Sequence, residues 1–363
     1  MREYLVCFLV AAAVTYLLTP PVRRLAIRAG AMAEVRDRDI HASPTPRWGG
    51  LAMYGGFLAG LVIASQLPGM STVFEGSRQP LALVVGSTLI VGLGLIDDRF
   101  GLDAPTKAAG QVLAGGLMAF LGIQMVWLPI GGTLVLDPLT SVLLTVLFVV
   151  LTINAVNFVD GLDGLAAGIV GIAAAAFFVY AYLLSGDFGF DRATLAALIC
   201  ALLTGMCVGF LPHNLNPAKL FMGDTGSMLL GLLLAASAIT LSGRVDPSAL
   251  RGELLLPAIL PLLLPLAVIA VPLLDVAMAI VRRTRRGRSP FAPDKEHLHH
   301  RLIELGHSQR RAVSLMHAWT ALIAFSAVAV ALIPWPVALG IFLIGLGWLA
   351  FLVSRPETTL SRR

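Results

Sequence analysis

Apolar residues come in long runs, and the polar residues gather in the short segments between them. A run of about 18 or more residues without charge reads as a helix that crosses a bilayer. Runs of this kind lie at roughly 3–19, 49–66, 80–96, 106–126, 138–153, 164–184, 193–211, 226–241, 254–281, 314–333 and 336–353. The ninth contains Pro257, Pro261, Pro265 and Pro272, which predicts a kink. The longest polar stretch, Arg282 to Val313, is too short for a soluble domain, and there is no internal repeat. The pattern predicts an all-α integral membrane protein. It would be a polytopic bundle of about eleven transmembrane helices, with residues 1–363 forming one membrane-embedded unit.

Composition agrees. The chain is 57% hydrophobic and only 13% charged, against about a quarter charged in soluble domains. Cys7, Cys200 and Cys207 all fall inside apolar runs and read as small buried hydrophobes, not as a disulfide framework. The first run lacks a basic leader and a cleavage site, so it reads as a retained span. A sequence pI near 9.4 raises nucleic acid as a partner, but the placement of the basic residues points to the membrane surface instead.

Alternating the segments between spans, only Arg2, Arg78, Arg192, Arg244 and Arg251 fall on one side; the other 21 of the 26 Lys and Arg fall on the opposite side. The positive-inside rule makes the basic side cytoplasmic, with the N-terminus outside and the C-terminus inside. Every unusual polar cluster lies on that same side: HASPTPRWGG (41–50), IDDRFGLDAPTK (96–107), NAVNFVDGLDG (154–164), HNLNPAKLFMGDTGS (213–227) and DKEHLHHRLIELGHSQRR (294–311). The corresponding loops, 20–48, 97–105, 154–163, 212–225 and 282–313, are expected to build one cytoplasmic site.

Asp97 and Asp98 close the third span; two adjacent carboxylates there need a cation to ionise together. Alone the pair reads equally as a solvated helix end, and nearby Lys107 with the 154–164 cluster favours function. Asn157, Asp160 and Asp163 stand three apart, and Gly161 and Gly164 suggest a loop with Asp163 capping the next helix. Capping explains one carboxylate but not the remaining oxygens, which suit Mg²⁺. In GDTGS, a glycine-flanked helix start suits phosphate, and Asp224 would repel it unless a metal intervenes. Phe221 could stack a base or pack into core or lipid. His297, His299, His300 and Arg301 have the wrong spacing for a helical zinc pair and fit better as cations facing an anionic substrate. RRTRRGR at 282–288 anchors to anionic headgroups. The reaction class these groups suggest is phosphoryl transfer between a soluble phosphorylated donor and a lipid phosphate.

The motifs DDR at 97–99, NAVNFVDGLDGLAAG, NPAKLFMGDTGS and HLHHRLIELGHSQRRAV resemble those of the polyprenyl-phosphate N-acetylhexosamine-1-phosphate transferases. The likeness runs from HASPTPRWGG to the last loop. It implies a Mg²⁺-dependent membrane enzyme, Mn²⁺ able to substitute, that moves a sugar 1-phosphate from a UDP-sugar to a polyprenyl phosphate and releases UMP. By the same resemblance Asp97, Asp98, Lys107 and Asp160 are catalytic, with Asp160 and Asn214 lining the nucleotide site, and Asn157 and Asp224 hold the metal. Asp163, Asn214 and Phe221 bind the nucleotide; His297, His299, His300 and Arg301 handle the sugar and diphosphate. One departure is His213, where Phe or Tyr is expected.

Within the family, the HLHH loop is similar to the branch that uses UDP-GlcNAc to begin O-antigen (lipopolysaccharide), teichoic acid or arabinogalactan synthesis in the bacterial plasma membrane. The phospho-N-acetylmuramoyl-pentapeptide transferase branch of peptidoglycan synthesis is the alternative. From another class, an ion-coupled transporter would place its carboxylates near the bilayer midplane, whereas here they lie at span ends. No nucleic-acid partner is expected, and a homodimer stays open.

Overall fold

The computed structural model describes residues 1–33, 44–128, 134–187, 194–242 and 306–355, together with Thr284. In these residues the chain forms α1 (Arg2–Ala29), α2 (Gly49–Gln66), the one-turn α3 (Ser71–Phe74), α4 (Gln79–Phe100), α5 (Ala104–Phe120), α6 (Pro138–Val159), α7 (Leu165–Asp187), α8 (Thr194–Asn214), α9 (Gly223–Ser242), α10 (Gln309–Leu332) and α11 (Trp335–Ser354). The only strands among the described residues are a small hairpin, Trp127–Leu128 against Leu134–Val135. Nine of the described helices are long and apolar enough to cross a membrane. α5, with 17 residues, corresponds to the fourth apolar run and measures about 26 Å. The ninth apolar run, 254–281, lies outside the described residues. The chain is an all-α polytopic integral membrane protein.

Among the described helices α9 is the central one, buried at every residue but Asp224 and packed by α2, α4, α6 and α8. Its small residues make that possible. A Cβ on Gly231 would lie 2.6 Å from the Ile153 Cα, and one on Gly50 of α2 would run into the Gly226 backbone. Backbones therefore approach closely, as between membrane helices that gain nothing from water exclusion. Hydroxyls on α9 turn back onto their own helix: Ser227 donates to the Gly223 carbonyl at 3.2 Å and Ser237 to the Leu234 carbonyl at 2.7 Å. At the periphery α11 exposes large apolar side chains, Ile344 and Trp348 among them, as a lipid-facing helix must.

The first span does not stop before Pro20. α1 continues through Pro20 and Pro21 to Ala29 and ends on Gly30 in the left-handed region. Pro20 has no N–H, so the carbonyl four residues back, on Tyr16, lacks its helical donor. His213, at the end of α8, is placed to supply a replacement: its imidazole lies beside the Tyr16 backbone and 4.8 Å from the Tyr16 ring. Neighbouring helices commonly re-satisfy backbone groups that proline frees inside a membrane. The residue that departs from the family pattern thus has a local structural task.

This assigns His213 a stability effect that depends on Pro20. His213→Ala is expected to lower the thermal midpoint in detergent, by a loss of about 1–3 kcal/mol for the unsatisfied carbonyl. In a Pro20→Ala background, where the helix regains its own donor, the same substitution should matter much less. Equal losses in both backgrounds would refute the pairing.

Candidate active site

Successive helices run in opposite directions, so one end of the bundle collects the C-termini of α4, α6 and α8 and the N-termini of α5, α7 and α9. The polar clusters of the sequence meet there. Lys107, on the first turn of α5, is the centre: its Nζ lies 2.6 Å from Asp97 Oδ2 on α4 and 2.8 Å from Asp224 Oδ2 on α9. Asp97 is buried and its other oxygen accepts the Leu102 N–H at 2.7 Å, which fixes the carboxylate as α4 ends. Asn157, near the end of α6, lies beside Asp224.

Asp98 has a different task. Its Oδ1 accepts the Asp224 N–H at 2.9 Å, and its Oδ2 accepts the N–H and hydroxyl of Thr225 at 3.1 and 2.6 Å. A buried carboxylate on the free N–H groups of a helix start is favourable, because it satisfies the donors and opposes the helix dipole. Gly223 holds φ +69, and a Cβ there would strike the Asp98 carboxylate. Glycine is thus required for the close approach. Of the adjacent acidic pair, Asp97 faces the cation and Asp98 fixes the helix that carries Asp224.

The 154–164 segment is not one loop. Asn154 and Asn157 lie on the last turns of α6, and Asp160 is the residue that ends it. The early glycine signal at Gly161 and Gly164 misplaced this boundary. Gly164, with φ +74, stands between Asp163 and the first residue of α7. The buried Asp163 carboxylate accepts the Asn216 amide and the Ala218 N–H, each at 3.0 Å. Asn214 completes the tie, accepting from Gly164 N at 3.1 Å and donating to the Leu220 carbonyl at 3.1 Å. Two sequence-predicted nucleotide residues therefore join the α6–α7 loop to the α8–α9 loop. Phe221, half-buried, is clamped through its backbone: its N–H donates to Pro46 O and its carbonyl accepts from Gly49 N, both at 2.9 Å.

Several contributors escaped the sequence reading. Trp48 adopts φ 83, a strained geometry for a bulky residue. That turn delivers the Gly49 and Gly50 N–H groups to the carbonyls of Phe221 and Met222. Arg47 supplies positive charge near Asp160. Gln111 and Asn154, one turn beyond Lys107 and Asn157, are joined at 2.6 Å between α5 and α6. Gln111 stands outside every motif, whereas HASPTPRWGG marked the segment that contains Arg47 and Trp48 and NAVNFVDGLDG the one that opens on Asn154. His297, His299, His300 and Arg301 lie outside the described residues. Just beyond them Gln309 and Arg310 bond Asn216, at 2.9 Å each, so α10 begins against the same loop.

Among the described residues no group of three or more His, Cys, Asp or Glu converges as a closed metal cage. What the site offers is two carboxylates and an amide, all with oxygen donors, beside an ammonium. That set suits a hard divalent cation held by one or two carboxylates and completed by substrate phosphates and water.

A search of family models matches residues 80–242 to Glycosyl transferase family 4. A decaprenyl-phosphate N-acetylglucosaminephosphotransferase of Mycolicibacterium smegmatis is 50% identical over 90% of this chain and 82% of its own length. A probable undecaprenyl-phosphate N-acetylglucosaminyl 1-phosphate transferase of Bacillus subtilis is 32% identical over 87% of this chain and 82% of its own. A phospho-N-acetylmuramoyl-pentapeptide-transferase of Mycobacterium leprae is 32% identical over 66% of this chain and 77% of its own. The chain belongs to glycosyl transferase family 4.

Asp160 gives the site a pH signature. Enclosure by protein and the negative charges of Asp224 and Asp98 push its carboxyl up to about 8, against the pull of Arg47. The folded protein then binds a proton that the unfolded chain has released, so stability falls as pH rises from the ordinary value of 3.8 to about 8. Measured by thermal unfolding in chelator, the stability gained by Asp160→Asn should grow across that window and level off above it. A gain that does not vary with pH, or a loss throughout, would contradict the assignment.

Proposed function

We propose that this chain transfers N-acetylglucosamine 1-phosphate from UDP-GlcNAc to a polyprenyl phosphate, releasing UMP, at the cytoplasmic face of a bacterial plasma membrane. The observation that carries the proposal is the meeting of Asp97, Lys107, Asn157 and Asp224 at one end of a membrane bundle. At the end of a membrane-spanning bundle a soluble nucleotide and a lipid phosphate would both be within reach. The half-identical M. smegmatis relative supports N-acetylglucosamine as the sugar. The muramoyl-pentapeptide alternative rests on a shorter and weaker match, and family membership disfavours a transporter.

Phosphoryl transfer asks a protein mostly for positioning and charge neutralisation. Asp224 and Asn157, with Asp97 beside them, would hold Mg²⁺ or Mn²⁺, which supplies neutralisation of phosphate charge. Lys107 contributes a second positive charge from α5. Asp98 keeps the N-terminus of α9 and its free N–H groups in place, a positioning task. The loops tied by Asp163 and Asn214 present Phe221 as the base-stacking candidate, and Asp160 lies within reach of the charges of Asp224, Asp98 and Asp163. The HLHH residues are assigned to the sugar and diphosphate on the family's pattern. Orientation rests on the alternation of the sequence segments, which assigns 21 of the 26 Lys and Arg to the side that carries these motifs.

Sealed membrane vesicles test chemistry and orientation together. Inside-out vesicles supplied externally with polyprenyl phosphate and UDP-GlcNAc should release UMP, chelator should stop it, and Mg²⁺ should restore it. UDP-MurNAc-pentapeptide should be a poor donor, and right-side-out vesicles should stay inactive until permeabilised. Preference for the muramoyl donor, or equal activity from both sides, would reject the corresponding half of the proposal.

A further inference from the structure

The ammonium of Lys107 takes the place where positive charge matters most. It lies 2.6 Å from Asp97 Oδ2 and 2.8 Å from Asp224 Oδ2. A cation of the Mg²⁺ type binds its oxygens at about 2.0–2.1 Å, so one that used Asp97 Oδ2 and Asp224 Oδ2 would compete with the ammonium for them. Two cations that close to the same two oxygens would repel strongly. The carboxylates have little freedom to turn away. Asp97 is held from behind by Leu102 N, and Asp224 sits on the helix start that Asp98 fixes. The backbone of α5 is fixed as well, because Gln111 on its next turn is braced to Asn154 of α6. The side chain of Lys107 is the mobile part, with a flexible four-carbon stem and partial exposure to solvent.

We infer that Lys107 is an internal counter-ion: it pairs Asp97 with Asp224 while no divalent cation is bound, and gives way when one arrives. Without it the two carboxylates would face each other uncompensated. With it the three helix ends keep their geometry, and displacement sends a positive charge toward the space a phosphate would enter. The metal-free site would be ordered, and binding the cation would release the lysine as a phosphate contact. This inference rests on the transferase reading for the purpose of the freed ammonium, but the exchange itself is measurable without substrates.

The test uses the full chain purified in detergent with no nucleotide or lipid phosphate. Acylation of Lys107 by an amine-reactive ester, read by mass spectrometry, should rise severalfold on adding Mn²⁺. The rise should be absent in Asp224→Asn. In parallel, Mn²⁺ binding followed by electron paramagnetic resonance should tighten on the order of tenfold in Lys107→Met, about 1.4 kcal/mol. Relief of repulsion alone would also tighten binding, so the labelling decides. Mn²⁺ that binds the parent protein while Lys107 labelling is unchanged or falls would overturn the exchange, as would no binding at all. Should Lys107→Met fail to fold, labelling of the parent protein is sufficient by itself. UMP release from the same preparation separates the two ideas: release without exchange sinks this inference only, and exchange without release sinks the transferase reading only.

Discussion

Two carboxylates brought together at the edge of a membrane bundle repel, and the contact between Lys107, Asp97 and Asp224 is what lets them stay. The pairing joins the end of α4, the start of α5 and the start of α9. Removing one partner of a part-buried ion pair leaves charge uncompensated, a larger penalty than the pair's net worth. The rest of the site is arranged around keeping those helix ends fixed. Asp98 caps α9, Gly223 lets it come close enough, and the Gln111–Asn154 amide brace ties α5 to α6 one turn further in.

The second level is the pair of loops beside this centre. Asp163 and Asn214 bond across from the α6–α7 loop to the α8–α9 loop. Trp48 turns the chain before α2 so that it pairs with Phe221 and Met222. Arg23, Gln309 and Arg310 hold the same α8–α9 loop from α1 and α10. The polar network thus uses backbone carbonyls and amides that helix ends leave unpaired. Its rigidity comes from satisfying groups that cannot be left bare near lipid.

Much of this was legible in the sequence, for identifiable reasons. Spans show because a bilayer demands long uncharged runs, and the shared end shows because alternation puts all five polar clusters on one side. Asp97, Lys107 and Asp224 were found by residue type, not by distance, since more than a hundred positions separate Asp224 from the others. What was missed depends on tertiary partners. The first apolar run was read as ending at residue 19, yet α1 continues through Pro20 and Pro21, with His213 of another helix beside the Tyr16 backbone. Asn154 and Asn157 looked like loop residues beside Gly161, although α6 reaches past them. Gln111 and Thr225 are ordinary residues in an apolar helix until their partners are known.

The central claim is that side chains from separate helices act as one unit at this membrane face. Turnover of Asp97→Asn, Asp224→Asn and the double variant, each checked for folding, tests it most directly. Residues that work as a unit are strongly non-additive, so the double variant should be scarcely slower than the worse single one. Losses that multiply would show independent roles and contradict a single centre built on Lys107.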